Sequence, residues 1–385
     1  MDVEERQGTD WLRDFLLTWV TRLGFFFSFH QMQPLFPLYL GEMGASSTVI
    51  GAVSAAFTIT ATITRPPVGL LIDRHGRKPF LLSGIALFGV SVLGYLWAPS
   101  ILLITLCRVL HGIGWSGCTT AVSTLAVDIA PEKRRGELIG YAGMASNLGA
   151  ALGPITGFAL FYRYGYAGLF LSSFAIVVLS LLVACWIHEP ELSAAPLPER
   201  KGWIEAISVP ESLLPAITVA FLSFCHGGIL TFLPFYALKQ GLQNPGVWFA
   251  VYATSLLLSR PIAGPLSDRF GRRVVILPGF ILNLAGVVLL ALAPTPLWLI
   301  VAAVIMGFGF GSAHPSLTAL LVDRTSPQRR GLSIAQFQLF FDLGIGVGAV
   351  ALGTLLDLTE QNFSAMYLVT AAIGSVGLII YWLRG

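Results

Sequence analysis

Charge is what this chain has least of. Only 11% of its 385 residues are Asp, Glu, Lys or Arg, against about 25% in soluble domains. With a mean hydropathy of +0.77, that scarcity excludes an ordinary water-soluble fold. Cysteine is also sparse. Cys107, Cys118, Cys185 and Cys225 are the four, with no CxxC pair. All lie in apolar runs, where they are expected as small buried residues rather than as disulfides or metal ligands. No phosphate-binding GxxxxGK[ST] loop, metal-ligand set or nucleophile–base motif is present, so neither ATP-driven chemistry nor an enzyme is indicated. "GFGFG" (Gly307–Gly311) lies inside an apolar run with no soluble strand before it, which makes it helix packing and not a nucleotide loop. The net charge of +3 calls for no nucleic-acid partner, because the basic residues have another explanation below.

What the chain does have is long apolar runs, such as "SSFAIVVLSLLVACWI" (Ser172–Ile187) and "MYLVTAAIGSVGLIIYWL" (Met366–Leu383). These approach the roughly 20 residues that a helix needs to cross a hydrocarbon layer. The pattern predicts an all-α polytopic membrane protein, since barrel strands would be short and alternating. Splitting the runs at charges and turn residues gives twelve spans: 12–40, 47–72, 79–97, 101–127, 136–161, 166–187, 212–239, 246–267, 274–293, 297–323, 331–356 and 363–383. The polar, acidic start "MDVEERQGTD" predicts no cleavable signal peptide. An even number of spans puts both termini on one side. Arg163 and Lys239 sit on the opposite side, and Arg22, Arg65, Arg108 and Arg260 within spans. Every other Lys and Arg is on the side of the termini. The positive-inside rule makes that side cytoplasmic, with the protein in the cytoplasmic (inner) membrane of the cell.

The second pattern is an internal repeat. "GLLIDRHGRKP" (Gly69–Pro79) returns as "GPLSDRFGRR" (Gly264–Arg273), 195 residues later. The same offset pairs Arg65-Pro66 with Arg260-Pro261, Gly112 with Gly307, Asp128 with Asp323, Asn147 with Asp342 and Gly149 with Gly344. In the first span the offset is two residues longer, pairing Pro37 and Tyr39 with Pro234 and Tyr236. Two homologous six-helix halves follow, 1–187 and 212–385, joined by a Pro- and charge-rich linker over 188–211. Such parallel repeats suit a secondary transporter.

On these residues the whole chain resembles the major facilitator superfamily. "GLLIDRHGRK" fits that family's G-x-L-x-D-R-x-G-R-K loop between spans two and three. "RVLHGIG" (Arg108–Gly114) is similar to its fourth-span R-x-x-Q-G-x-G, with His111 in place of Gln. Gly140, Gly149, Gly153, Pro154 and Gly157 look like the fifth-span antiporter motif of the drug:proton exporters, with Phe158 in place of a final Gly. The resemblance implies the major facilitator fold, a monomer in the lipid bilayer, no cofactor beyond a proton gradient, and proton-coupled export of a small-molecule substrate. It also implies a cytoplasmic latch. That latch comprises Gly69, Asp73, Arg74, Gly76, Arg77, Lys78, Asp128 and Arg135, with Asp268, Arg269, Gly271, Arg272, Asp323 and Arg330 as the second copy. Topology anchoring alone would explain the bases, but not the four paired Asp residues. For the fifth-span glycines, ordinary close packing is the other explanation.

Ionisable groups deep in a span are costly, at least about 2.5–3.5 kcal/mol on insertion scales, so the few that exist are informative. Asp342 lies about 18 Å into span eleven and Arg22 about 15 Å into span one, counted from the same face at 1.5 Å per residue. Asp342 is the candidate proton carrier, with Arg22 tuning it; a purely structural buried pair is the alternative. Spans one, four, seven and ten line the cavity in the resembled family. His30, Gln33, Arg108, His111, His226, His314 and Asn147 are therefore candidate cavity residues, although single buried histidines also serve packing. Rings in "LGFFFSFH" and "QFQLFFD" suit an amphipathic organic cargo. Two rival functions remain open, import or equilibration of a polar nutrient and a transport-dead membrane sensor.

Overall fold

A computed structural model describes residues 3–131, 134–189, 209–326 and 329–384, with the side chains of 3–10, 135, 136 and 331 outside the description. Most of the predicted linker, 190–208, also lies outside it. The described chain is helical from end to end. Twelve helices follow in order: α1 (Val3–Met32), α2 (Phe36–Glu42), α3 (Ser47–His75), α4 (Lys78–Trp97), α5 (Ile101–Asp128) and α6 (Arg135–Cys185); then, after a 3-10 turn at Pro210–Ser212, α7 (Leu213–Lys239), α8 (Gly246–Phe270), α9 (Arg273–Leu292), α10 (Pro296–Arg324), α11 (Arg330–Leu358) and α12 (Phe363–Arg384).

These elements are the twelve predicted spans, redrawn in two places. The first span is not one helix. It stops at Met32, turns, and resumes as α2, because Pro34 and Pro37 have no N–H to give to a continuous ladder. Conversely, spans five and six share one helical element of 51 residues, broken in register only at Gly165, where φ is +64° and ψ −168°. Contacts with α1 show that the chain folds back there. Trp19, Arg22, Phe27 and Gln31 meet Tyr141, Ser146, Gly149 and Gly157 in ascending order. Gly24 and Ser28 meet Ser180 and Ser173 in descending order. The two limbs of α6 are therefore antiparallel, each long enough to cross.

Among the described residues nine helices are long and apolar enough to cross a membrane by length and composition, one of them holding both limbs of α6. The remaining two spans are α1, which carries Arg13, Asp14 and Arg22, and α8, which carries Arg260, Asp268 and Arg269. Large apolar side chains such as Val90, Leu179, Ile262 and Ile379 stand on the outside of their units. Lipid is the solvent that tolerates them.

By compactness the chain forms two units. One contains α1 and the chain from Thr60 to the end of α6; the other contains Pro34–Ile59 and everything from the 3-10 turn onward. The sequence repeat assigns Pro34–Ile59 to the first half, yet its packing partners are in the second. Within that second unit, a methyl group on Gly51 would strike the carbonyl of Ala349, and one on Gly353 the carbonyl of Ser47. Missing side chains let α3 lie directly on α11.

Candidate transport machinery

The charged loops come first. Gly76 and Gly271, each at φ +94°, turn the chain between consecutive spans, in a conformation that costs residues with a side chain about 1–3 kcal/mol. The next residue is then aimed back at the neighbouring helix. Arg77 donates from Nε to Asp128 Oδ2 at 2.8 Å, and Arg272 donates from Nε to Asp323 Oδ2 at 2.8 Å. The duplicated motif thus folds into duplicated ion pairs. Arg272 also bonds Asp268. Hydrogen bonds to Asp323 and then Asp268 raise the pKa of its guanidinium. Asp73, the counterpart of Asp268, joins no ion pair among the described residues. Its half is held instead by Glu189, whose carboxylate accepts from the backbone N–H of Arg77 at 2.5 Å and of Lys78 at 3.0 Å. Sequence reasoning placed Glu189 in a linker and missed it; an acid just past the end of span six was the available signal.

A further contact also recurs. Lys78 Nζ donates to the carbonyl of Cys185 and Arg273 Nη2 to that of Trp382, both at 2.8 Å. Each third span thereby caps the carbonyl end of its sixth, where cations are favoured. The expectation that all four cysteines are buried fails here: Cys185 is exposed, because it closes the last turn of α6, while Cys107, Cys118 and Cys225 are buried. Of the other predicted loop residues, Arg74 and Arg330 are exposed, Arg269 lies over the Phe270 ring at 5.3 Å, Gly69 has open space beside it, and the side chain of Arg135 is outside the described residues.

The fifth-span glycines are placed by contact with α1. A methyl on Gly149 would meet the backbone of Phe26 and Phe27, one on Gly153 that of His30 and Gln31, and one on Gly157 the carbonyl of Gln31. Gly140 faces open space. In the other half Gly344 and Gly348 abut the carbonyls of Ala220 and Phe224 on α7 in the same way.

With two repeated units, duplicated charged turns and glycine-bedded helix pairs established, one comparison is decisive. The Major Facilitator Superfamily model matches residues 15–254 and 243–385. The chain belongs to that superfamily. Facilitators are transporters, not enzymes. The chain is 26% identical over 381 residues to an uncharacterised MFS-type transporter of Methanocaldococcus jannaschii, covering 96% of each. It is 26% identical to a multi-drug resistance efflux pump PmrA homolog of Lactococcus lactis, covering 88% of this chain and 87% of that one. To the multidrug resistance protein MdtG of Escherichia coli it is 25% identical over 97% and 94%. Among solved structures it superposes on the nucleoside transporter NupG with a TM-score of 0.79 at 12% identity, covering 97% and 98%, and on a bacterial homolog of the human lysosomal transporter Spinster with 0.80 at 16%, covering 97% of each. These structural likenesses establish the fold.

Inside this facilitator the predicted polar residues gather into two clusters, one per unit. In the first, His30 Nδ1 and Gln33 Oε1 are 2.8 Å apart on α1. Arg108, 6% exposed, donates to the Tyr95 hydroxyl, which in turn bonds His111 Nδ1 at 2.8 Å. His111 is fully buried, with its ring edge-on to Phe88 at 4.0 Å. Asn147 is half-buried on α6. Arg22 donates from Nε to Ser146 at 2.7 Å and lies 3.4 Å from Ser123 Oγ.

The second unit holds an alternating stack. His226 lies 4.7 Å from Phe310 and Phe310 lies 5.4 Å from His314, both nearly parallel, and His314 meets Phe341 at 5.1 Å. Tyr252 approaches His226 Nδ1 at 3.4 Å. Asp342, next to Phe341 in the chain, accepts from Gln338 Nε2 at 3.3 Å. Four α-helices contribute to this array, which sequence spacing alone could not assemble.

Proposed function

We propose that this facilitator is a proton-coupled exporter of small amphipathic organic compounds. It would work by alternating access as a monomer in the cytoplasmic membrane, with both termini cytoplasmic and no cofactor. The observation that carries the reading is the imidazole–phenyl stack of His226, Phe310, His314 and Phe341. Flat aromatic faces interleaved with a few polar nitrogens suit ring-bearing, weakly polar molecules better than sugars. Relatives named as multidrug pumps, matched over nearly the whole chain, support the same direction.

In this reading His30, Gln33, Arg108, His226 and His314 contact the cargo. His111 acts indirectly, by orienting the Tyr95 hydroxyl. Asp342 carries the proton and Arg22 biases its ionisation. The paired charges at Arg77–Asp128 and Arg272–Asp323 form the latch, which must be weak enough to release in each cycle. Exposed ion pairs, worth about 0.2–1 kcal/mol each, meet that requirement.

The test is accumulation of ethidium in cells deprived of their own efflux pumps, with and without a protonophore. Cells producing the protein should hold less dye until the gradient collapses, then fill to the level of controls. Asp342→Asn should fill to that level throughout. Full proton-driven export by the Asn variant sinks the role of Asp342, and indifference to the protonophore sinks proton coupling.

A further inference from the structure

Arg22 carries a charge that its own unit does not neutralise. Burying a guanidinium among helices is costly unless its donors and its charge are met, and an Arg has five N–H donors to satisfy. Here Nε donates to Ser146 Oγ at 2.7 Å, and Nη1 lies 3.4 Å from Ser123 Oγ. Both acceptors are neutral hydroxyls. The guanidinium carbon stands 5.5 Å from the centre of the Phe26 ring, within cation–π range. Its ionisable neighbour is the Cys118 thiol. No ion pair among the described residues includes Arg22. Asn147, next to Ser146 on α6, is an amide where the repeat puts Asp342 in the other half.

The groups beside this charge follow in order along α1. Arg22, Phe26 and His30 recur every four residues and so share one stripe of the helix, over a rise of about 12 Å. All three are half-buried, whereas Phe25 and Phe29 behind them are buried. On α6, Gly149 faces Phe26 and Gly153 faces His30, which brings backbone close without adding a side chain over the rings. Trp115 of α5 stands 5.1 Å from Phe26. His30 and Gln33, 2.8 Å apart, end the row. The sequence of groups is therefore a guanidinium, two aromatic side chains, and an imidazole–amide pair.

Duplication does not account for this row. With the longer offset of the first span, the matching positions on α7 are Val219, Ser223 and Gly227. All three are buried, and a methyl on Gly227 would strike the carbonyl of Ile345. The second unit spends this stripe on packing, while the first keeps a charge and rings on it.

We propose that Arg22 is a receptor for an acidic group, extending the cargo of this facilitator to ring-bearing carboxylates. The carboxylate meets the guanidinium donors that the serines leave free, and the ring lies along Phe26 and Trp115. Guanidinium and carboxylate match in a two-point, charge-assisted contact. A neutral molecule of the same shape gains the rings alone. The inference rests on the reading of this cluster as a cargo site, and on neither export nor proton coupling.

The experiment is a binding measurement without a gradient, so its failure is separable from failure of ethidium export. Radiolabelled naphthoate and its neutral counterpart naphthamide are each dialysed to equilibrium against the purified full chain in detergent, with protein-free micelles as the blank. The intact protein should bind naphthoate about tenfold more tightly than naphthamide or better. Arg22→Gln should bring that ratio close to one by weakening naphthoate alone. Arg22→Lys keeps the charge without the fork, and should retain part of the preference with naphthamide binding unchanged. It decides the matter if the glutamine variant does not fold. Equal affinity for the two probes in the intact protein overturns the proposal, as does absence of naphthoate binding. So does an equal loss of both probes in either variant.

Discussion

The two halves solve one packing problem with opposite assignments of bulk. In the first, Gly157 on α6 accommodates the backbone of Gln31 on α1. In the second, the position of Gly157 is taken by Leu352 on α11, and its side chain fills the space over Gly228 on α7. With the two-residue longer offset of the first span, Gly228 stands where Gln31 stood. Small and large residues have changed places across the same pair of helices. One ridge position earlier, Gly153 and Gly348 are both glycine and both press on backbone. Conserving the distance between helices, and not the residue, is what the comparison teaches.

The largest effect should come from the positions where both halves agree. Gly153→Leu and Gly348→Leu each force a side chain into backbone, where overpacking exceeds its usual cost of about 1–3 kcal/mol. Neither variant should be recovered as a monodisperse folded protein by size exclusion. Recovery of one but not the other breaks the equivalence of the halves.

Next is the swapped pair. Leu352→Gly should lower stability by about 3–5 kcal/mol through the cavity and the added backbone freedom. Gly228→Gln alone should also destabilise. Together they copy the first half's arrangement, and a double-mutant cycle from thermal unfolding in detergent should show recovery of more than half the loss. Strict additivity would mean that the swap is coincidental.

Smaller still are the turn glycines. Gly76→Ala and Gly271→Ala should each cost about 1–3 kcal/mol from the positive φ. Gly76→Ala should be the worse, because its methyl also crowds the Glu189 carboxylate at 3.0 Å while Gly271 has no neighbour within 4 Å. Equal unfolding midpoints would remove Glu189 from the account. The smallest effect is on the ion pairs. Asp128→Asn and Asp323→Asn should each lose about 0.2–1 kcal/mol. The loss at Asp323 should be the lesser because Asp268 still holds Arg272. Repeating the measurement in 1 M salt should shrink the difference between the two.

Much of this was legible beforehand, and for physical reasons. Hydropathy runs reveal spans because a bilayer imposes a length, and a register kept from Arg65 to Gly149 reveals a duplication. Each charged turn is written in adjacent residues, but its partner Asp lies 51 residues on, so the pairing of Arg77 with Asp128 came from the family resemblance and the repeat carried it to Arg272 and Asp323. Glu189 was not legible, since its carboxylate reaches Arg77 N–H across 112 residues. Nor was the break after Met32 or the exposure of Cys185, which depend on where a helix ends by a single turn. The stack of His226, Phe310, His314 and Phe341 draws on three helices, and no spacing rule links their faces. The fifth-span glycines were visible, yet their meaning shifted. Counterparts at Gly344 and Gly348 also press on the backbone of the facing span, so close packing accounts for Gly149 and Gly153 in either half, while Gly140 has nothing beside it.

The transfer of Pro34–Ile59 bears on how such a molecule descended from a duplicated gene. Two identical six-helix ancestors could each have kept their own second span. Here Pro34–Ile59 of the first repeat packs in the compact unit that holds the second, and the glycines at 51 and 353 make the fit close. A copy of either half alone would leave Gly51 or Gly353 without the backbone that each faces. The ancestral symmetry survives in the charged turns, but the two halves have become a single heritable unit.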